Sequence, residues 1–284
     1  MMKYSFLFIF LLLPLTVCAE WVLTPKKMVN GGVAILRWQG QVPMDVAVAH
    51  FDGESFFLDR DKDGLFALIG IDVLKAPGTY PVEMTGIDVL GGNHFHSMQI
   101  TVEDADRKTD FLTLPAEMVS PKDPATLERI DRESAELKAV FSVDSGPYIG
   151  QLFTVPVSDP ISSSFGTKRV LNGKPKSPHS GTDFRSPLGR LVRAPANGRV
   201  VYVADLHYTG KTVILDHGSG IFSLYAHLLT PLCQVGEELK IGQPLGKVGS
   251  TGRSTGAHLH WTVKLRGAKV DPMLLLARYG KERP

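Results

Sequence analysis

Two short patterns in the C-terminal half of this 284-residue chain place histidine and carboxylate at close spacing. His179 and Asp183 are four residues apart around Gly181, and His258 and His260 are two apart. A turn at Gly181 can bring the first pair together, and residues two apart in a strand project from the same face. Neutral imidazoles and a carboxylate are the ligands of a catalytic zinc, which keeps one position open for water. These residues therefore predict a metal site.

Neither spacing is specific by itself. His94 and His96 repeat the second spacing in the N-terminal half, without a matching acid motif nearby, and we interpret them as structural. Asp59–Gly64 matches the first half of a calcium-binding loop, but the twelfth position, which needs a bidentate glutamate, is Gly70. We interpret this segment as a polar hairpin turn.

The elements that position these residues are mostly short strands between glycine-rich turns, which predicts an all-β fold in both halves. Residues 20–115 are expected to form an immunoglobulin-like β-sandwich, with strands at 33–38, 45–48 and 99–102. Residues 116–150 are expected to be a connector whose helix begins at Asp123 and Pro124, with one apolar stripe and one charged face. Residues 151–275 are expected to form the second β domain, with strands at 198–204, 212–216, 222–226 and 259–265, a short helix near 271–278 and a C-terminal tail at 276–284.

Composition and termini limit the function classes. The net charge is +2 and no arginine-rich run occurs, which argues against a nucleic-acid partner. Residues 1–19 have the pattern of a secretory signal peptide, and their apolar run is too short for a permanent membrane span. Cleavage leaves Cys233 alone, so no internal disulfide is expected, and we interpret Cys233 as a buried small hydrophobe. An exported, periplasmic protein is the expectation, with secretion or a lipid anchor on Cys18 as alternatives.

The C-terminal patterns occur in an order that resembles a known family. Residues 151–272 resemble the lysostaphin and LytM-type zinc metalloendopeptidases. The matching motifs run from one end of this stretch to the other: Ser163–Gly166, His179–Phe184, Ala194–Val200, Asp216–Gly218, Tyr225–Leu228, Gly246–Gly252 and Thr255–Trp261. The resemblance implies a LytM-type antiparallel sheet with a groove above it.

The resemblance also implies roles. His179, Asp183 and His260 would bind one Zn2+ per chain, while His258 and His227 would move protons or stabilise the oxyanion. The implied reaction is hydrolysis of peptide bonds in the stem or cross-link peptides of peptidoglycan. One alternative is a non-catalytic LytM-type regulator that activates cell-wall amidases. A second is a wall-binding module, and a cell-envelope protein partner is expected at the N-terminal domain. We interpret His217 as structural.

Overall fold

The computed structural model describes residues 21–113, 115–143, 146–147 and 153–279, without the side chains of Met118 and Tyr279. The predicted signal peptide, including Cys18, lies outside these residues. No helix in the described part of the chain combines the length and apolarity needed to cross a membrane. Strands dominate both halves, which confirms the predicted all-β class.

The N-terminal half is a β-sandwich, as predicted. Its strands are β1 (Trp21–Thr24), β2 (Lys27–Val29), β3 (Val33–Trp38), β4 (Met44–Phe51), β5 (Glu54–Phe57), β6 (Asp59–Asp61), β7 (Gly64–Gly70), β8 (Gly78–Asp88) and β9 (Asn93–Glu103). They form two sheets, in the orders β1-β3-β7-β6 and β2-β9-β8-β4-β5. Both sheets turn apolar side chains, among them Trp21, Leu36, Met84 and Ile100, into one shared core. β6 and β7 pair as an antiparallel hairpin, which confirms the interpretation of Asp59–Gly64 as a turn.

The connecting segment contains β10 (Thr109–Leu112), α1 (Ala116–Val119) and α2 (Pro124–Val140). The predicted start of α2 is confirmed, because the Asp123 carboxylate accepts a hydrogen bond from the backbone N–H of Thr126. The apolar end of α2, Leu137 and Val140 with Phe141, packs against the second domain at Phe222 and its neighbours.

The predicted charged face of α2 is wrong in one respect, because it also contacts protein. Glu133 is buried, lies 2.6 Å from Arg129 and accepts a hydrogen bond from the backbone N–H of His207. Glu136 accepts a hydrogen bond from the hydroxyl of Tyr202. A carboxylate can be buried here because both a guanidinium and an amide satisfy it.

The C-terminal half is built on one large antiparallel sheet. Its elements are β11 (Ile161–Ser163), β12 (Lys168–Leu171), β13 (Lys174–Lys176), β14 (Thr182–Phe184), β15 (Leu191–Arg193), β16 (Gly198–Leu206), β17 (Gly210–Asp216), β18 (Ile221–Pro231), β19 (Glu238–Leu239), β20 (Pro244–Val248), β21 (Leu259–Leu265), β22 (Ala268–Val270) and α3 (Pro272–Tyr279). The main order is β11-β14-β21-β18-β17-β16-β19. β21 is central, with Leu259, Trp261 and Val263 fully buried in the core. The four strands predicted for this half and the short helix at its end are all present.

Two contacts tie the halves together. Val33, Ile35 and Leu68 of the sandwich belong to the same apolar cluster as Leu265 and Val270. In addition, β10 pairs in parallel with β12, and β12 pairs with β13, so the connecting segment adds a strand to the second half. A strand that precedes the helix therefore lies beside the residues of the candidate site.

Candidate metal centre and active site

Three neighbouring strands bring the predicted metal ligands together. Asp183 on β14 is the direct cross-strand partner of His260 on β21, while His179 lies in the loop that leads into β14. That loop passes so close to β21 that a β-carbon at Gly181 would stand 2.4 Å from the carbonyl oxygen of Trp261. Only glycine fits there, and this explains the glycine between His179 and Asp183.

The three side chains form one compact, buried cluster. The Nε2 atom of His179 lies 3.0 Å from the Asp183 Oδ1 atom and 3.0 Å from the His260 Nδ1 atom, and the last two atoms are 2.7 Å apart. Among the described residues, this is the group of histidine, cysteine and acidic side chains whose ligand atoms converge closely enough to hold a metal ion. The predicted triad is therefore assembled in space.

The remaining polar atoms of the cluster are held by surrounding groups. The Nδ1 atom of His179 lies 3.0 Å from the carbonyl oxygen of Ser164, which can only accept, so Nδ1 carries the proton and Nε2 offers its lone pair to the cluster. The Nε2 atom of His260 lies 2.9 Å from the Thr262 hydroxyl, which leaves Nδ1 for the cluster. Arg169 donates to the second oxygen of Asp183 at 3.1 Å.

The charge states of the cluster suit a cation. Burial lowers the pKa of His179, although the hydrogen bond to Asp183 opposes that shift. Burial disfavours the charged form of Asp183, but hydrogen bonds from His179 and His260 outweigh it and hold its pKa below the ordinary value. Neutral imidazole and ionised carboxylate are the forms that bind a divalent metal.

The two other predicted site residues stand beside the triad. The ring centroids of His227 and His258 are 4.7 Å apart, and the Nε2 atom of His258 is 4.0 Å from the Asp183 carboxylate. Each ring has its Nδ1 atom against a backbone carbonyl, Thr251 for His227 at 2.8 Å and Gly256 for His258 at 2.9 Å. By the same reasoning Nδ1 is protonated in both, and both Nε2 atoms are left as bases.

Backbone strain helps to orient His227. Its φ is +60°, in the left-handed region that is unfavourable for side chains other than glycine, by about 1–3 kcal/mol. A bulge in the pairing of β17 with β18 lies next to it, and the backbone N–H of His227 donates to the carbonyl oxygen of Thr209. Burial, followed by the neighbouring His260 and His258, lowers the pKa of His227 to about 3, so its ring is neutral at physiological pH.

His217 has the structural role expected from its position. It is fully buried, its Nδ1 atom lies 2.6 Å from the carbonyl oxygen of Asn197, and its Nε2 atom lies 2.7 Å from the Ser223 hydroxyl. Ser223 in turn contacts the hydroxyl of Tyr225. Cys233 packs partly buried against the core, which agrees with its interpretation as a small hydrophobe.

An open groove of about 360 Å³ lies over the cluster. Asp183, His260, His227 and His258 line it, together with residues that sequence reasoning missed: Asp110, Leu112, Arg169, Arg185 and Arg253. Asp110 and Leu112 come from β10, more than 60 residues before the first metal-ligand motif. No local signal marks them, because only the parallel pairing of β10 with β12 brings them to the groove.

The fold and these sequence motifs agree with known proteins. Residues 177–272 match the sequence model of peptidase family M23. A crystal structure titled as a putative peptidase M23 from Pseudomonas aeruginosa is 32% identical, covers 87% of this chain and 94% of that chain, and superposes with a TM-score of 0.67. This chain belongs to peptidase family M23. The family resemblance inferred from the motifs is thereby confirmed.

Two curated relatives of this M23 protein have different names. Peptidoglycan DD-endopeptidase ShyA of Vibrio cholerae is 39% identical over 114 residues, which cover 40% of this chain and 26% of ShyA. The chain thus spans about a quarter of the length of the ShyA protein that it matches. Murein hydrolase activator NlpD of Salmonella dublin is 26% identical over 294 residues, which cover 89% of this chain and 75% of NlpD. An enzyme and an activator are therefore both among its relatives.

Proposed function

We propose that this M23 protein is a zinc-dependent endopeptidase that hydrolyses peptide bonds in the stem or cross-link peptides of peptidoglycan. The observation that carries the proposal is the buried cluster of His179, Asp183 and His260, with two further neutral imidazoles on its open side. The name of ShyA supports the substrate class.

The residues present fit zinc. Two imidazole nitrogens and one carboxylate oxygen converge, which is the donor set of a catalytic zinc with one open position. The His179 ring is fixed by a hydrogen bond from its other nitrogen to a carbonyl oxygen, as is usual for metal-binding histidines. When bound, zinc would supply Lewis-acid polarisation of a carbonyl and acidify a water molecule.

The protein's own side chains account for the proton movements of hydrolysis. The Nε2 atoms of His227 and His258 are available as bases beside the cluster, since each Nδ1 proton is committed to a backbone carbonyl. One imidazole can accept the proton of an attacking water and later return it to the leaving amine. The other, donating once protonated, can stabilise the negative charge that develops on the carbonyl oxygen. Arg169 holds the Asp183 carboxylate in position through its second oxygen.

The test is digestion of purified sacculi by the purified chain, with its zinc content measured in the same preparation. We expect about one zinc per chain and release of peptide fragments whose masses identify the cleaved bond. Removal of zinc with a chelator should stop the release, and added zinc should restore it. Absence of cleavage by a zinc-loaded preparation would contradict the proposal.

The second candidate function is a non-catalytic activator of cell-wall amidases. It is favoured by the match to NlpD, which extends over 89% of this chain. The presence of all five histidine and aspartate side chains in one site argues for the enzyme instead. Adding the chain to an amidase with sacculi distinguishes the two, because an activator raises amidase products without new peptide-bond cleavage.

We also propose that the protein acts after export, in the periplasm, since its substrate lies outside the cytoplasm. The signal peptide predicted at residues 1–19 supports this location. The N-terminal sandwich is proposed to contact a cell-envelope protein. Fractionation of cells that produce the full chain tests the location, and a cytoplasmic pool of uncleaved chain would contradict it.

A further inference from the structure

Two arginines lie beside the cluster in addition to the histidines. Arg169 donates to Asp183, and its Nε atom is buried without a hydrogen-bond partner in the described part of the structure. Arg253 is half-buried, and its guanidinium lies over the ring of Tyr208, 4.4 Å from the centroid. Stacking on an aromatic ring holds a guanidinium in a fixed orientation and leaves its N–H edge available to a ligand.

These two arginines stand where two cavities meet. Both line the groove over the cluster, and both line a second cavity of about 270 Å³ on its other side. His227 and His260 also line both cavities. A group bound by the arginines would therefore lie directly beside the residues proposed to act on the peptide bond.

The second cavity has an unbalanced charge. Its described lining contains four basic residues and no carboxylate: Arg169, Lys176, Arg253 and Lys269. Burial lowers the pKa of Arg253, and the nearby positive charge of Arg169 lowers it further, although Tyr208 opposes the shift. Two guanidinium groups held close together without a facing acid are stabilised by an anion. A buried donor without a partner, such as the Nε atom of Arg169, costs about 1–3 kcal/mol that a ligand's acceptor would offset.

We propose that Arg169 and Arg253 form a subsite that binds a free carboxylate of the substrate peptide, next to the bond to be cut. The inference rests on the proposed function, because the carboxylate is one carried by a peptidoglycan peptide. Guanidinium groups match the geometry of a carboxylate through two parallel hydrogen bonds. The carboxylate comes from the C-terminus of the peptide or from one of its side chains, and the test separates these sources.

The test measures binding by calorimetry, with the zinc-loaded full chain and an uncross-linked stem peptide. The peptide is prepared with all carboxylates free, with only its C-terminus amidated, or with only its side-chain carboxylates amidated. We expect one of the two amides to bind about 10- to 100-fold more weakly than the free peptide, as is typical for the loss of a charge-assisted hydrogen bond. That amide identifies the carboxylate. Equal affinity for all three peptides would overturn the subsite.

Variants link this preference to the arginines. Arg253→Gln should reduce binding of the free peptide to the level of the discriminating amide, while leaving the amide's own Kd within about twofold because no charge remains to be lost. Arg253→Lys should restore part of the preference. Arg190→Gln, which removes a surface arginine paired with Asp159 outside both cavities, is the matched control and should change nothing. Equal weakening of both peptides by Arg253→Gln would overturn the proposal.

Hydrolysis of a cross-linked peptide, followed in parallel, separates this inference from the proposed function. Carboxylate-dependent binding without cleavage would contradict the endopeptidase and support the subsite. Cleavage that is indifferent to amidation would support the endopeptidase and overturn the subsite. A thermal melt of each variant establishes that the protein compared is folded.

Discussion

The same His-x-His spacing occurs in both halves of the molecule, on β9 and on β21, with different outcomes. On β21, His260 has a paired strand on each side, with Asp183 opposite it on β14 and Ala226 opposite it on β18. On β9, the residues opposite His94 and His96 are Gly86 and Met84, both on β8. One pair therefore lies inside a sheet, while the other has a paired strand on one side.

The surroundings of the two pairs follow from this difference. Leu259, between the β21 histidines, is fully buried, whereas Phe95, between the β9 histidines, is 69% exposed. His94 has one carboxylate partner, Asp88 at 2.7 Å, and no second imidazole joins them among the described residues. A spacing of two aligns two side chains, but the flanking strands supply the third ligand and the burial that a metal site needs.

The largest effect is expected from exchanging the two pairs as targets of mutation. His260→Ala removes one of three ligands, and we expect zinc content to fall to background and cleavage of sacculi to drop by about 1,000-fold or more. His96→Ala, at the equivalent position of the other pair, should leave both unchanged. Metal analysis and a sacculus digestion assay check this. Full zinc occupancy in His260→Ala would remove His260 from the ligand set.

The accessory histidines should separate metal binding from turnover. We expect His258→Ala and His227→Ala to retain zinc, because neither ring belongs to the converging triad, and to lose about 100- to 10,000-fold in kcat as proton-transfer groups. His94→Ala, in the corresponding place on β9, is the control and should keep both zinc and activity. Retained turnover in His227→Ala would contradict the role proposed for that residue.

Local sequence signals predicted much of the fold and the whole histidine and aspartate site. The limits of β3 and β21 could be predicted because apolar and β-branched residues fill them between clear turn residues. The start of α2 followed from its capping aspartate and proline. Motif order identified all five site residues, although only the resemblance to a family indicated what each one does.

The features that sequence could not predict depend on long-range pairing. The position of β10 in the groove requires its parallel pairing with β12, and nothing in Thr109–Leu112 marks that partner. Glu133 has the same appearance as the exposed acids near it, and it is buried only because Arg129 and the backbone of His207 meet it. Arg169 and Arg253 likewise become part of a site only when the fold brings two distant loops together.

Buried and exposed imidazoles also differ in their effect on stability, and His217 gives the next largest expected change. Burial lowers its pKa to about 4, from 6.5 in an unfolded chain. Between these values the unfolded chain binds a proton that the folded chain does not. Its contribution is therefore complete above pH 6.5 and is lost as the pH falls toward 4, by about 3 kcal/mol.

Denaturant unfolding of the wild-type chain and of His217→Gln across pH 4–7 measures this contribution. We expect the variant to be less stable at pH 7, since it disturbs buried hydrogen bonds, but to lose less stability on acidification than the wild type. The other buried histidines are common to both proteins, so their contributions cancel in the difference. His96→Gln is the control for loss of an imidazole, and parallel pH curves for the wild type and His217→Gln would contradict the prediction.

The smallest expected effect compares two arginine–aspartate pairs, one in each half. Arg169 holds the outer oxygen of Asp183, whereas Arg37 binds both oxygens of Asp61 at 2.8 and 2.9 Å, away from the triad. We expect Arg169→Gln to weaken zinc affinity by about tenfold, since groups that orient a metal ligand typically contribute 10- to 100-fold and the His179 contact still positions Asp183. Arg37→Gln should leave zinc affinity unchanged. Competition with a zinc-binding dye measures both, and equal affinities in the two variants would show that Arg169 does not position the carboxylate.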